Sequence, residues 1–254
     1  MYSKSRSIII KNMDFRDADK LVTLFSEKEG KIRAIAKGIK KPNSSLRACV
    51  QPFAHSFLFF SSGRELGIIT QGQVLDFYSY IRDDINLSLN ITYLMELLDK
   101  SLLENVPFPR LYQTTLQVLD TLNQADAAYN PLIFRYYEMA LLKELGYKPV
   151  VERCVICGKS DGDINYLSIS EGGTVCTVCS PQSGHNLTVS KESLAILKLL
   201  AAANITTLTR VKASANTLKQ IELILERYLE YHLERKFKVK DTIKRLKKRL
   251  SVPN

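Results

Sequence analysis

Apolar and polar positions alternate along the first 80 residues, and the period changes after that. Ser5 to Lys11 carries the β-branched run Ile8-Ile9-Ile10, Lys20 to Phe25 follows, and Ile32 to Lys37 sets Ile32, Ala34 and Ala36 against Arg33, Ile35 and Lys37. Phe53 to Phe60 and Leu66 to Tyr78 complete five short strands, with a turn at Gly30-Lys31 and bends or bulges expected at Gly67 and Gly72. Five strands without a long helical repeat among them predict a small closed or partly closed barrel. The five-stranded OB-fold β-barrel matches that count and length.

From about residue 82 the apolar period becomes 3.6. Leu87, Ile91, Leu94, Leu98 and Leu102 form one stripe, and Leu111, Thr115, Val118 and Leu122 form another, with Pro107 and Pro109 between them. A third helix is expected to open at Asn130-Pro131 and close at Gly146, and helices resume near Ser190-Lys191-Glu192 and Asn216-Thr217. The predicted chain is α+β and multidomain. An OB-fold domain spans 1–80, a helical domain occupies 81–150 and 190–254, and an insert at 151–189 separates its two parts.

The insert carries Cys154-Val-Ile-Cys157 and Cys176-Thr-Val-Cys179, with 18 residues between the pairs. Each pair can wrap one side of an ion while the intervening segment folds back as a hairpin, so Cys154, Cys157, Cys176 and Cys179 are read as four ligands of a structural Zn2+. Gly158 and Gly172-Gly173 sit where tight turns would aim backbone N–H groups at sulfur. Four thiolates leave no position open for water, so the metal is expected to hold structure and not to catalyse. The competing readings are two local disulfides, four buried thiols, or a thioredoxin-like redox pair, the last lacking its βαβ context. His185 lies near enough in sequence to be a substitute ligand, and Cys49 reads as a small core residue.

Charge alters the picture once it is divided along the chain. Residues 1–80 carry 13 Lys/Arg against 7 Asp/Glu and residues 190–254 carry 15 against 6, whereas the middle is mildly acidic and the whole is +10. Basic ends point to a polyanion partner. The loop Lys37-Gly38-Ile39-Lys40-Lys41-Pro42-Asn43-Ser44-Ser45-Leu46-Arg47 gathers cations, hydroxyls and a glycine beside a strand, a composition suited to phosphate oxygens. Its alternative is a solvated loop. The tail from Arg235 to Leu250 has nine basic residues, one acid and an apolar strip at Ile243, Leu246 and Leu250, which predicts a basic helix or frayed helical tail. A solvated tail and a membrane-surface helix are its alternatives. The expected phosphate contacts, which become DNA contacts under the resemblance described next, are Lys31, Arg33, Lys37, Lys40, Lys41, Ser44, Arg47, Lys244, Arg245 and Lys248. Phe53, Phe57, Phe59 and Phe60 have a spacing that fits inward core positions better than base stacking.

Several residue strings carry a family resemblance. Ile35-Ala36-Lys37-Gly38 to Gln51-Pro52-Phe53, Phe134-Arg135-Tyr136-Tyr137-Glu138-Met139-Ala140-Leu141-Leu142, Leu145-Gly146-Tyr147-Lys148-Pro149 and Cys154-Val-Ile-Cys157-Gly158 together resemble the bacterial recombination mediator family RecO, and the match in order and spacing covers nearly the whole chain. The resemblance implies an N-terminal OB-fold, a helical domain and a zinc-binding insert. It further implies binding of single- and double-stranded DNA, annealing of strands coated with single-strand-binding protein and, with RecR, help in loading RecA, so RecA is an indirect partner. The acidic C-terminal tail of single-strand-binding protein would dock on the helical domain, where Arg135, Tyr136 and Lys143 are the candidate contacts. The competing reading pairs Arg135 with a nearby carboxylate.

An RNA-binding or transcription-associated zinc protein is the alternative, since basic barrels and structural zinc serve it equally well. An enzyme is not expected. There is no GxxxxGK[ST] loop, and His55, His185 and His232 are isolated from the H-x-E element of a zinc deaminase. The chain opens Met1-Tyr2-Ser3-Lys4 without an apolar signal segment, and its apolar stretches fall far below the roughly 20 residues that span a bilayer. No membrane association is expected, and the expected location is cytoplasmic, at the nucleoid.

Overall fold

The computed structural model describes residues 2–41, 44–61, 66–124, 130–160, 163–202 and 204–250, with residues 2, 244 and 247–250 described by backbone alone. Contacts gather the chain into two compact units, Met1–Ala127 with Phe237–Asn254, and Ala128–Lys236.

The first unit opens with β1 (Tyr2–Asp14), β2 (Lys20–Ser26), β3 (Gly30–Ala36), β4 (His55–Ser61) and β5 (Gly67–Asp76). They close into a barrel in the order β1-β2-β3-β5-β4, with β4 returning to β1 and only β3 and β5 running parallel. This is the OB-type closure. β1 is longer than the alternation predicts because it serves two neighbours: Tyr2 to Ile8 pair with β4 and Ser7 to Asp14 pair with β2, with a bulge between Ile9 and Lys11 bending the strand. Ile9, Val22, Leu24, Ala34, Ala36, Leu58, Phe60 and Ile69 fill the interior.

Strand period corrects the expectation that all four phenylalanines face the core. Ser56, Leu58 and Phe60 of β4 are buried, whereas Phe57 and Phe59 alternate with them and are only partly covered. Phe53 lies before the strand, buried in a left-handed conformation, and stacks with Phe77 around the Arg82 guanidinium at 4.1 and 3.9 Å. The bends expected at Gly67 and Gly72 fall elsewhere, since the ladder slips where β5 inserts Thr70 and Leu75. Gly72 is needed for close approach. A Cβ there would stand 2.8 Å from Leu58 Cδ2 and 3.1 Å from Sγ of the buried core residue Cys49.

Helices α1 (Ser79–Asp83), α2 (Ile85–Ser101) and α3 (Pro109–Leu122) follow. Asp84 caps α2 by accepting from the Leu87 amide, and Pro109 opens α3 where a missing N–H costs nothing. Both predicted stripes are buried. Tyr112 of α3 packs edge-on against Phe25 at 5.5 Å and its hydroxyl meets His55 Nε2 at 3.1 Å, so Ile8 and Phe25, paired on the outer face, are fully buried.

In the second unit, α4 (Leu132–Glu144) packs with α5 (Lys191–Ala202), α6 (Ile205–Leu208) and α7 (Ala215–Leu233). Asn130 Oδ1 accepts from the Leu132 amide, and its Nδ2 donates to the Leu208 and Val211 carbonyls, tying the start of α4 to the end of α6. The insert contains β6 (Ile164–Ser168), β7 (Gly173–Cys176) and β8 (Asn186–Thr188) in an antiparallel sheet of order β7-β6-β8.

The last helix, α8 (Lys238–Leu250), belongs to the first unit. The Glu96 carboxylate of α2 accepts from the Lys238 and Val239 amides at 3.0 and 2.9 Å, placing negative charge where the helix dipole favours it. Phe237, just before the helix, and Ile243 on it are buried. Among the described residues, no helix is long and apolar enough to cross a membrane.

His55 makes the stability of the barrel depend on pH. Burial, helped by the nearby Arg6 and opposed by Asp76, draws its pKa down to about 4, against about 6.5 in an unfolded chain. The unfolded state therefore binds the proton first as pH falls, so stability is full above about 6.5 and drains away towards pH 4. The urea midpoint of the intact protein is expected to fall across that window, and His55→Gln is expected to flatten the fall. Identical slopes for the two proteins would show that His55 does not carry it.

Candidate functional site

The two Cys-X-X-Cys turns meet at one end of the small sheet. Gly158 takes φ +74° and returns its amide to the Cys154 carbonyl at 2.9 Å, while the Cys179 amide closes the second turn on the Cys176 carbonyl at 3.1 Å. All four Sγ atoms lie within 4.8 Å of one another, and Cys157 and Cys176 stand 3.9 Å apart. A tetrahedral ion with metal–sulfur bonds of about 2.3 Å needs sulfur–sulfur edges of about 3.8 Å. The donor set fits a metal ion, and the cysteines are free thiols, which sets aside the two local disulfides. His185 is outside the cluster and packs on Tyr231 with ring centroids 5.9 Å apart.

Two of the thiols are shifted in opposite directions. Burial would raise Cys154, but hydrogen bonds from the amides of Cys157, Cys176 and Ile156 outweigh it and bring the thiol down to about 6. Cys179 goes the other way, pushed up to about 12 by hydrogen bonding to Cys176, then by burial and by its other sulfur neighbours. A cluster with one ready thiolate and one strongly held proton takes a cation by releasing protons.

The expected DNA contacts come from different elements of the first unit. Lys31 is buried, its ammonium donates to the Asp99 carbonyl at 2.6 Å, and burial pulls its pKa down despite Asp99 and Glu104. Arg33 grips Glu104 through Nε at 2.8 Å and Nη2 at 3.2 Å. These two lie within β3, whereas Lys37, Lys40, Lys41, Ser44 and Arg47 follow its end. There the Lys40 amide bonds the Ala18 carbonyl, the Gly38 amide bonds Asp19 Oδ1 at 2.8 Å, and Lys40 Nζ lies 3.0 Å from Asp14. Arg47 donates to the Lys41 carbonyl at 2.7 Å, and Ser44 is half-buried. Lys37 and Lys41 are exposed. Pro42 and Asn43 lie outside the described residues, as do the side chains of Lys244 and Lys248; Arg245 is exposed on α8.

Pinning the basic loop to the β1–β2 connection brings in residues that the sequence reading missed. Arg16 lies 5.1 Å over the ring of the exposed Phe15, and Lys20 is 3.9 Å from Asp14. An aromatic inside the polar stretch Asp14-Phe15-Arg16-Asp17 was the available signal. For the proposed peptide contacts, the structure favours the competing reading of Arg135. It is 6% exposed, with Nη1 3.2 Å from the buried Glu138 and 3.9 Å from Glu222. Tyr136 is half-buried and Lys143 exposed.

The family model for the recombination protein O N terminal matches residues 1–78, which contain the barrel, and that for its C terminal matches residues 82–241. The chain belongs to the RecO family. The DNA repair protein RecO of Syntrophomonas wolfei is 53% identical over 248 residues, 98% of each chain. That of Oceanobacillus iheyensis is 36% identical over 234 residues, covering 91% of this chain and 89% of its own, and that of Bacillus pumilus is 32% identical over 230 residues with the same coverage. RecO membership supports a role in DNA repair.

Cobalt(II), coloured when held by four thiolates, gives a direct test of the RecO-family cysteine site. One ion per chain is expected, with affinity that rises with pH as the Cys179 proton becomes easier to displace and that falls more steeply below about pH 6, where Cys154 also gains a proton. Cys154→Ser is expected to abolish the tetrathiolate spectrum and lower the melting temperature. Full cobalt uptake with a native melt in that variant would rule the site out.

Proposed function

We propose that this RecO-family protein is a DNA-binding recombination mediator. It anneals single strands coated with single-strand-binding protein and, with RecR, promotes the loading of RecA. The observation that carries this reading is a closed OB-type barrel in a chain whose two halves both match one DNA repair family. The physical basis is binding energy. Cations that neutralise phosphates on two strands reduce their repulsion, raise their local concentration and release condensed counterions, so annealing needs no catalytic side chain.

The exposed cations at the end of β3, Lys37 and Lys41, together with Arg16 on the adjoining connection, supply phosphate contacts. The four thiols hold Zn2+, a reading supported by an all-sulfur donor set of four clustered cysteines, and the ion ties the two Cys-X-X-Cys turns together. The acidic tail of single-strand-binding protein docks on the helical unit, with Lys143 and Tyr136 as the accessible members of the proposed trio.

Annealing of complementary strands precoated with single-strand-binding protein tests the reading. Acceleration is expected with the intact coating protein and not with a form lacking its acidic tail; no acceleration with either would overturn the mediator assignment. For the basic loop, Lys37→Gln with Lys41→Gln is expected to reduce the salt slope of single-strand binding by about 1.4, two contacts at about 0.7 each. An unchanged slope would remove both lysines from the interface.

A further inference from the structure

Phe57 and Phe59 stand on the outside of β4 with ring centroids 5.1 Å apart in an edge-to-face pair. Strand register sets their neighbours. On β1, Arg6 is opposite Phe57 and Lys4 is opposite Phe59; on β5, Gln73 is opposite Phe57 and Gln71 is opposite Phe59. Residues paired across antiparallel strands share a face. The six side chains therefore form two parallel rows, each reading cation, aromatic, amide. Lys4, Arg6, Gln71 and Gln73 are exposed, and the two rings are half-covered. The β5 bulge adds Leu75, which is 43% exposed.

Two observations set this face apart from ordinary barrel surface. Further along the same outer face, Ile8 and Phe25 are fully buried and Tyr112 of α3 packs on Phe25, so these rows begin where that cover ends. Beside them lies a hollow of about 330 Å³ lined by Lys4, Ser5, Arg6, Glu27, Lys28, Phe57 and Leu75, in which three cations face one carboxylate. A surplus of positive charge next to open aromatic rings suits one class of ligand well. In a single nucleic-acid strand, phosphates can follow the cations while unstacked bases lie on the rings, and amide side chains can reach base edges. A duplex keeps its base faces covered and cannot use the rings.

We propose that this outer face of β1, β4 and β5 is a second DNA surface, specific for single strands, on which Phe57 and Phe59 stack bases and Lys4 and Arg6 hold the backbone. The proposal rests on the DNA-binding reading above and adds a site separate from the basic loop. Lys4 is ten residues along β1 from Asp14, which holds Lys40, a span of roughly 30 Å at strand rise. A strand held here has its bases off their own stack, which is the state that can pair with a complement held elsewhere.

The test uses the full chain and three probes of equal length: oligothymidylate, an abasic deoxyribose-phosphate strand and a duplex. The intact protein is expected to bind oligothymidylate more tightly than the abasic strand. Phe57→Leu with Phe59→Leu keeps apolar bulk while removing the rings, and is expected to weaken oligothymidylate roughly 10- to 100-fold, with the other two probes unchanged. Lys4→Gln with Arg6→Gln is expected to weaken both single strands alike. A leucine variant that keeps the intact protein's preference for bases overturns the proposal, as does an equal loss on all three probes, which would mean that the rings support the fold. If the intact protein binds none of the probes, the DNA-binding reading falls as well.

Discussion

β1 holds the barrel shut because it is hydrogen-bonded along both edges, to β4 through its first half and to β2 through its second, with a bulge between Ile9 and Lys11 to turn it from one to the other. A five-stranded sheet left open would present two rows of unpaired backbone groups. Closure removes them and divides the side chains into an interior and an exterior set by strict alternation. Everything that the barrel offers a ligand is then decided by which exterior positions remain uncovered. Helix α3 buries Phe25 and screens His55, whereas Phe57 and Phe59, on the same side of β4 as His55, stay partly open.

Electrostatics narrows the basic surface that composition advertises. Lys31, Arg33 and Lys40 are engaged by groups from elsewhere in the first unit, and Arg135 faces Glu138 one turn away on α4. For the buried Arg135 the engagement is firm, because parting a buried ion pair is strongly destabilising. For the exposed pairs it is loose, since such contacts are worth about 0–1 kcal/mol and a phosphate can compete. The count of Lys and Arg therefore overstates the available cations near β3.

The cysteine module follows a different logic, in which local turns do most of the work. Each Cys-X-X-Cys segment turns on its own backbone hydrogen bonds, and β6 with β7 only has to bring the two turns together. Gly158 needs its left-handed φ, while Gly173 leaves room for the carbonyl of Val150, in the segment that follows α4. With four sulfurs so close, protonation and metal binding compete at the same atoms, and the fold of the insert is coupled to that competition.

Local regularities were legible in the sequence because they depend on near neighbours. Strand alternation, the two apolar helix stripes, the Asn130 cap, the four-cysteine spacing and the OB-sized first segment all follow from residues a few positions apart, and family membership follows from their order. What only the tertiary structure decided involves partners distant in sequence. These are the extra length of β1, the loss of Lys31 to the Asp99 carbonyl, the docking of α8 through Glu96, the pinning of the basic loop to the connection bearing Phe15 and Arg16, and the outward stance of Phe57 and Phe59 between two cations and two amides. The parity of β4 was visible in its residues, but not which parity faced the interior. That choice is made by strand register and barrel closure, because a shift of one residue in pairing exchanges the two faces.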